Sequence, residues 1–171
     1  MTVNHVSPRD YDWTTFHEEI CWSIDTLRAS YADSPRFAAE SLAFRYINSS
    51  PFDEDAQDVY GYLRDKLHVE FLPPIDVLPQ GVDARARNLQ TQTSFMCREP
   101  VGRLTLAFAN AYAVDDRGPA SRLLWQIMFD VREEDVPDSL EGVHQWLEAA
   151  HGVIDTVFRN MIRGELEESF T

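Results

Sequence analysis

The chain has 171 residues, 44% of them hydrophobic, and a formal net charge of −14 at pH 7. That length suits one domain with one core, so we expect a single domain over residues 1–171, frayed over residues 1–10. The negative charge and the lack of a cationic cluster exclude nucleic acid or an anionic membrane as the main partner. No leader pattern and no bilayer-length apolar run is present, which predicts a cytoplasmic protein.

The first predicted element is an amphipathic helix. Its apolar side chains recur at steps of three and four: Trp13, Phe16, Ile20, Ile24, Leu27 and Tyr31. Asp12, or the pair Thr15 and Glu18, is placed to cap its start. Trp22 lies about 200° around the helix from Ile20 and is expected to be exposed. It is either a minor contact within the fold or part of a partner surface.

A strand, a short helix and a loop are predicted next. Residues 37–48 alternate as a strand, with Phe44 on one face and Arg45 on the other. The acidic residues 53–58 lead into a short helix, where carboxylates in the first turn offset exposed N–H groups. They lack the spacing of a calcium loop. Residues 68–83 contain three prolines, which predicts a long ordered loop or a lid over the sheet.

Three more strands are predicted in the second half of the chain. Residues 84–98 alternate, and one of their two sides is clearly wetter. A turn at residues 98–102 leads to a strand expected at residues 104–114, and a turn at residues 115–119 leads to another at residues 123–131. The apolar positions of the last strand are Leu123, Trp125, Ile127, Phe129 and Val131. Together with the earlier strand these segments predict an antiparallel sheet of about four strands with one polar side.

The longest predicted element is a terminal helix over residues 137–164. Its apolar stripe comprises Leu140, Val143, Leu147, Ala150, Ile154, Val157 or Phe158, and Met161. Asp138 and Glu141 have the spacing of a capping box, and Gly164 marks the end. So long a stripe must lie across the sheet. The expected fold is therefore α+β, with long amphipathic N- and C-terminal helices packed on one face of the sheet.

Polar residues follow one side of the terminal helix: His144, Glu148, His151 and Asp155. The E-x-x-H spacing of Glu148 and His151 occurs in carboxylate-bridged metal sites, to which His17 and Glu18 of the first helix, with Cys21 one turn on, would add ligands. The alternative, which we favour, is that these residues edge the apolar stripe, pair at i,i+4 and face water. We therefore predict no metal and no cofactor, and keep His144, Glu148 and His151 as candidate ligands should a metal bind.

A polar patch on the sheet is a second candidate site. Arg45 projects from the face opposite the apolar positions of its strand. Other side chains of the predicted sheet are expected to join it: Arg85, Arg87 or Arg103, with Gln90 and Gln92. Such a patch suits an anionic ligand or an acidic peptide. The alternative is that Arg45 pairs with one of the many carboxylates.

The two cysteines, Cys21 and Cys97, are far apart and lack a C-x-x-C partner. This favours reduced core thiols, although their pairing with each other stays open at this point. Either thiol with His151 would be conceivable as a nucleophile and base, yet neither lies in a recognisable nucleophile elbow. Phosphate-binding, Walker, hydrolase and zinc-protease motifs are absent, which weakens the case for an enzyme.

Four short motifs occur in order along the chain: Y-D-W-x-x-F at 11–16, R-Y-I-N at 45–48, F-D-V at 129–131 and L-E-A-A-H-x-x-I-x-x-x-F at 147–158. By these motifs the chain resembles a sporadically distributed bacterial family of uncharacterised function. The resemblance transfers no catalytic residue and implies an accessory system such as phage defence or a toxin–antitoxin pair. Members usually carry strands before the first helix that are missing here, so we expect a second copy or a partner to cover exposed apolar surface.

The leading functional hypothesis is a non-enzymatic interaction protein. It would act as a homo-oligomer or as a subunit of a larger bacterial assembly, with another protein chain as its partner. The alternative is a chaperone-like domain that binds a small ligand or peptide on the polar sheet face beneath the Pro-rich loop. A hydrolase or metal enzyme ranks third.

Overall fold

A four-stranded antiparallel sheet and three α-helices make up the fold, as seen in a computed structural model of the chain. The structure describes residues 1–5, 11–31, 39–71, 75–83, 86, 88–115 and 118–169. The helices are α1 (Trp13–Ser30), α2 (Val59–Leu67) and α3 (Leu140–Ile162); the strands are β1 (Ser41–Pro51), β2 (Gln90–Arg98), β3 (Val101–Asp115) and β4 (Gly118–Arg132). The predicted α+β class is confirmed, with an α1 of modest length. None of the described helices is both long and apolar enough to cross a membrane.

Polar side chains determine where α1 and α3 begin. Asp12 caps α1 by accepting the Thr15 N–H at 2.8 Å, which is one of the two caps expected. Ser139, in extended backbone, caps α3 by accepting the Gly142 N–H at 3.0 Å. The predicted capping box at Asp138 is therefore wrong, because the serine hydroxyl one residue later occupies the capping position.

The acidic run ahead of α2 forms a turn rather than the first turn of the helix. Asp53 accepts the backbone N–H groups of Asp55 and Ala56 at 3.0 and 3.1 Å. Asp58 is the N-cap and accepts the Gly61 N–H at 2.8 Å. Asp53 thus satisfies donors of the turn, and Asp58 satisfies a donor in the first turn of α2 from the capping position, as Asp side chains in turns and caps commonly do. The expectation of carboxylates within the first helical turn is corrected accordingly.

The strands lie in the order β1-β4-β3-β2, so the first strand pairs with the last. One row of the register runs from Phe44 through Phe129 and Leu104 to Phe95. Because side chains alternate along each strand, this row and its equivalents form the face on which the helices pack. The five apolar positions predicted for the last strand, Leu123, Trp125, Ile127, Phe129 and Val131, are all at most 3% exposed.

The helix α3 lies across the buried face of the sheet. Trp146 packs on Phe129 with ring centroids 5.8 Å apart, and its indole N–H donates to the Val101 carbonyl oxygen at 3.3 Å. Ala150 and Ile154, at the centre of the helix, are completely buried. All buried apolar residues of the described chain belong to one cluster, so one core supports both helices and sheet.

Strand β2 begins later than the alternating pattern predicted. The pattern starts at residue 84, whereas β2 starts at Gln90; residues 84, 85 and 87 lie outside the described residues. Just before the strand, the Leu89 N–H donates to the side-chain oxygen of Asn110 at 3.0 Å, and the Asn110 N–H donates to the Leu89 carbonyl oxygen at 3.0 Å. A side chain thus replaces a backbone acceptor at this point, and the regular ladder starts after it.

Candidate functional site

The sheet face that points away from α1 and α3 carries no described helix, and Thr105 near its centre is 2% exposed. It comprises the odd-numbered residues of β1 and β3 and the even-numbered residues of β2 and β4, which the register aligns across the sheet. We call it the open face. The contacts of α1 and α3 with the sheet pass through Phe44 and Phe129 on the opposite side. No described helix packs on the open face, which leaves it available to a partner.

The middle of the open face is apolar as well as polar. One row crosses the sheet from Ile47 through Gln126 and Ala107 to Gln92. The two adjacent rows contribute Met128, Leu124 and Ala109, and Ala43 and Met96 lie one row further along, in the row of Asp130 and Arg103. Ile47 is 52% exposed and Met96 78%. The face is therefore mixed, whereas the sequence pattern predicted a polar one.

Arginines surround this apolar middle. Five lie on the open face: Arg45, Arg98, Arg103, Arg122 and Arg132. Asp130 is its one carboxylate among the side chains that the structure describes, so these described side chains together carry a formal charge of +4. The whole chain carries −14. The open face is therefore a positive surface on a strongly acidic protein.

The carboxylate of Asp130 is neutralised within the face. Arg103 donates to both of its oxygens, at 3.2 and 2.8 Å, and Arg132 lies 3.3 Å away. The Asp130 side chain is 5% exposed, whereas those of Arg103 and Arg132 are 39% and 64% exposed. A buried carboxylate needs such partners, because charge removed from water is costly unless it is paired. Asp130 is therefore neutralised by Arg103 and Arg132, while the guanidinium groups of these arginines remain partly exposed to solvent.

The predicted polar patch is only partly assembled. Arg45, Gln90 and Gln92 do lie on one face, but Arg45 is on edge strand β1 and the two glutamines are on the opposite edge strand β2. Three strand spacings separate these edges, about 14 Å. Arg45 is exposed and forms no ion pair with any described residue. Arg85 and Arg87 lie outside the described residues.

The Pro-rich loop begins on the side away from the predicted patch. Phe71 packs edge-on against Phe108, with centroids 5.8 Å apart. Phe108 belongs to the helix face of the sheet, so Phe71 lies on the opposite side from Arg45 and Gln92. Residues 72–74 are outside the described part. The described start of this loop therefore does not cover the open face.

Strand β2 is a free edge of the sheet. Because Asn110 N–H bonds to Leu89, alternation directs the backbone groups of odd-numbered β2 residues to β3 and those of even-numbered residues outward. The strand contains no proline, and its one charged residue is the terminal Arg98. Phe95 is 50% exposed on the helix side of this edge. Such an edge can accept another strand.

The histidines of α3 lie in a polar seam with α1, defined by Trp13, His17 and Asp25 on α1 and His144, Glu148 and His151 on α3. Trp13 stacks on His151 at 3.7 Å and donates its indole N–H to Glu148 at 2.9 Å. Glu148 also lies 3.8 Å from His17, and His144 lies 3.6 Å from Asp25. The partners come from the facing helix, and only Asp155 among the four polar residues forms the expected i,i+4 pair, with Arg159 at 2.8 Å.

The seam binds two helices together rather than presenting open ligand positions. Within the described residues, no group of three or more His, Cys, Asp or Glu side chains has the arrangement needed to hold a metal ion. Instead, the ring of His151 stacks face to face on the ring of Trp13, which joins α3 to α1. His144, Glu148 and His151 are thus placed in a structural contact.

The thiols do not form a catalytic pair in the described residues. Cys21 and Cys97 are both free, and the ring nitrogen close to Cys21 is that of His17, at 3.5 Å, rather than that of His151. Burial, with the charges of Asp25 and Glu148, raises the pKa of Cys21. A nucleophilic cysteine requires the opposite shift.

Trp22 is exposed as expected, at 70%. It lies on α1, which packs on the helix side of the sheet, so Trp22 is remote from the open face. The two surfaces proposed from the sequence for a partner are therefore separate.

The seam predicts a dependence of stability on pH. Burial lowers the pKa of His151 below its ordinary value near 6.5. Between the lowered pKa and about 6.5 the unfolded chain binds a proton at His151 that the folded chain does not, so the free energy of unfolding rises with pH across this window. Below the lowered pKa the folded and the unfolded chain both hold the proton, so the stability contributed by the neutral His151 ring is lost.

A His151→Phe substitution keeps an aromatic ring against Trp13 and removes the titration. We expect the unfolding free energy of the variant to change less with pH below about 6.5 than that of the wild type. Urea titrations of both proteins at a series of pH values measure it. An unchanged slope would contradict the assigned role of His151.

The fold and the bare surface define a class: an α+β protein with a helix-covered antiparallel sheet and one positive, partly apolar open face. Comparisons of the chain with protein-family models, with curated proteins and with solved structures gave no match.

Proposed function

We propose that the chain is a non-enzymatic interaction protein that binds another polypeptide through the open face. One observation carries the proposal: the sheet has a complete face on which no described helix packs, with exposed apolar side chains among arginines. Exposed apolar area rimmed by polar groups is typical of protein-binding surfaces. The bacterial accessory assembly implied by the resemblance, in defence or a toxin–antitoxin system, remains the proposed setting.

An open-face variant tests this function. Ile47→Asp places a carboxylate in the apolar row of the open face, at an exposed position of edge strand β1 where it should not disturb folding. Proteins of the native host that are retained by the immobilised chain are identified, purified and titrated against wild type and variant. We expect at least a tenfold loss of affinity, or about 1.4 kcal/mol, because an apolar contact is replaced by a charge that must be desolvated.

The matched control is Val77→Asp, at a side chain that is 76% exposed in the short turn at Ile75–Val77. It introduces the same charge outside the sheet and should leave affinity unchanged. Circular dichroism establishes that both variants fold. If every purified partner binds wild type and Ile47→Asp equally, or if none forms a complex with the chain, the proposed function is wrong.

A chaperone-like peptide-binding function is the second candidate, favoured by the free edge of β2. A peptide would add as a strand to the outward backbone groups of Gln92 and Ser94. Gln92→Pro removes one outward donor, and proline is tolerated at such edge positions. Loss of partner binding in Gln92→Pro but not in Ile47→Asp would assign binding to the edge instead of the open face.

A further inference from the structure

The charge of the open face identifies the chemistry of what covers it. Resting on the proposed function, we infer that the occupant is an acidic amphipathic helix of another protein chain, with an apolar stripe flanked by carboxylates. Its stripe would lie on the apolar middle, near Ile47 and Met128, and its carboxylates would reach the surrounding arginines. Arg45 and Arg122 are the two of these that do not bond to Asp130 and that flank the apolar middle.

Local charge decides this recognition despite the net charge of −14. The Debye length is about 8 Å at physiological ionic strength. Carboxylates on the outer surface of the helix layer are separated from the open face by the sheet and by a helix about 10 Å in diameter, so salt weakens their effect there relative to that of the arginines on the face itself. A partner docked on that face is therefore attracted by its net charge of +4, and arginine favours carboxylate because its fork binds both oxygens.

A second copy of the chain docked face to face does not fit. Such a symmetric contact would place +4 against +4, and like charges across an interface are unfavourable. Nucleic acid does not fit either, since the middle of the face presents Ile47, Leu124 and Met128 rather than stacking aromatics or further cations. An acidic polypeptide satisfies both the charge and the apolar surface.

The dimensions of the face favour a single helix. The open face measures about 14 Å across its four strands and about 34 Å over ten residue steps along them. One helix is about 10–12 Å wide and fits the width. A sheet face buries its side chains against helices, whereas an added strand would bind at the edge. The occupant is thus one helical segment rather than a globular surface.

Three synthetic peptides test the inference on the intact chain. Each has about 18 residues and a leucine stripe at helical spacing, with glutamate, glutamine or lysine at the flanking positions. Binding is measured by fluorescence anisotropy at low and high salt. We expect the glutamate peptide to bind tightest, the glutamine peptide more weakly and the lysine peptide least, with the first weakened by salt.

Paired substitutions locate the binding site. Arg45→Ala with Arg122→Ala should weaken the glutamate peptide about fivefold, since two exposed ion pairs are lost. The control is Arg64→Ala with Arg163→Ala, which removes two exposed arginines on the helix side. It should leave the affinity unchanged. Equal losses in both double variants would show nonspecific attraction and overturn the assignment to the open face.

Other outcomes separate this inference from the proposed function. No binding of the glutamate peptide up to about 1 mM, or equal binding of all three peptides, overturns the acidic helix. The proposed function then still stands if a purified host partner loses affinity in Ile47→Asp. Tighter binding of a single-stranded oligonucleotide than of the glutamate peptide would assign the face to nucleic acid and overturn the inference.

Discussion

Replacing Trp125 with alanine is expected to lower the free energy of unfolding by about 3–5 kcal/mol, the range for removing a large aromatic side chain from a core. Trp125 is completely buried at the centre of β4, between β1 and β3. Its ring supports the sheet from the helix side, so the cavity left behind borders all the central strands. Because whole domains are stable by only about 5–15 kcal/mol, the variant should approach the limit of folding.

Chemical denaturation followed by circular dichroism measures this loss. Trp22→Ala is the matched control, since it removes the same side chain from a position that is 70% exposed on α1. That change should alter stability by no more than about 0.5 kcal/mol. Similar losses for the two variants would mean that Trp125 is not the central core residue.

The second large effect is expected at Gly102, near the start of β3. A Cβ atom there would lie 2.5 Å from a ring carbon of Phe129 and 2.8 Å from the carbonyl oxygen of Asp130. Neither neighbour can yield easily, because the Phe129 ring is buried in the core and the carbonyl belongs to the sheet backbone. We therefore expect Gly102→Val to cost at least about 3 kcal/mol through overpacking.

Gly152→Ala in α3 is the corresponding control. No atom lies within 4 Å of a Cβ placed there, and alanine is the better helix former, so stability should rise by about 0.5–1 kcal/mol. Thermal denaturation of both variants measures the contrast. A tolerated valine at residue 102 would indicate that β3 and β4 are farther apart than the structure has them.

Strand and helix positions followed from the sequence wherever burial imposed a strict period. The alternation of Leu123 to Val131 placed those side chains in the core, and the spacing of three and four placed α3 across it. The residues at which the helices and strands begin and end were less predictable. Ser139 rather than Asp138 caps α3, because two neighbouring residues of similar capping preference compete and the sequence does not rank them.

The candidate site depended on strand order, which alternation does not determine. Arg45 and Gln92 were correctly assigned to one face, yet β3 and β4 lie between them. Sequence reasoning missed Arg122 and Met128, although the even-numbered positions of β4 were already known to point away from the core. Sequence reasoning also predicted that the polar residues of α3 pair along their own helix. Contacts between helices that are far apart in the sequence leave no periodic pattern from which they could be predicted.

All five cations of the open face are arginines, and the chain has a single lysine, Lys66, on α2 beside Glu165. Reagents that attack primary amines, whether cross-linkers, fluorescent labels or activated surfaces, therefore react on the helix side or at the amino terminus. A protein coupled to a support through Lys66 would be attached by its helix side, and the open face would point into solution. Guanidinium-selective reagents such as dicarbonyls would reach the arginines of the open face, together with Arg64 and Arg163 on the helix side.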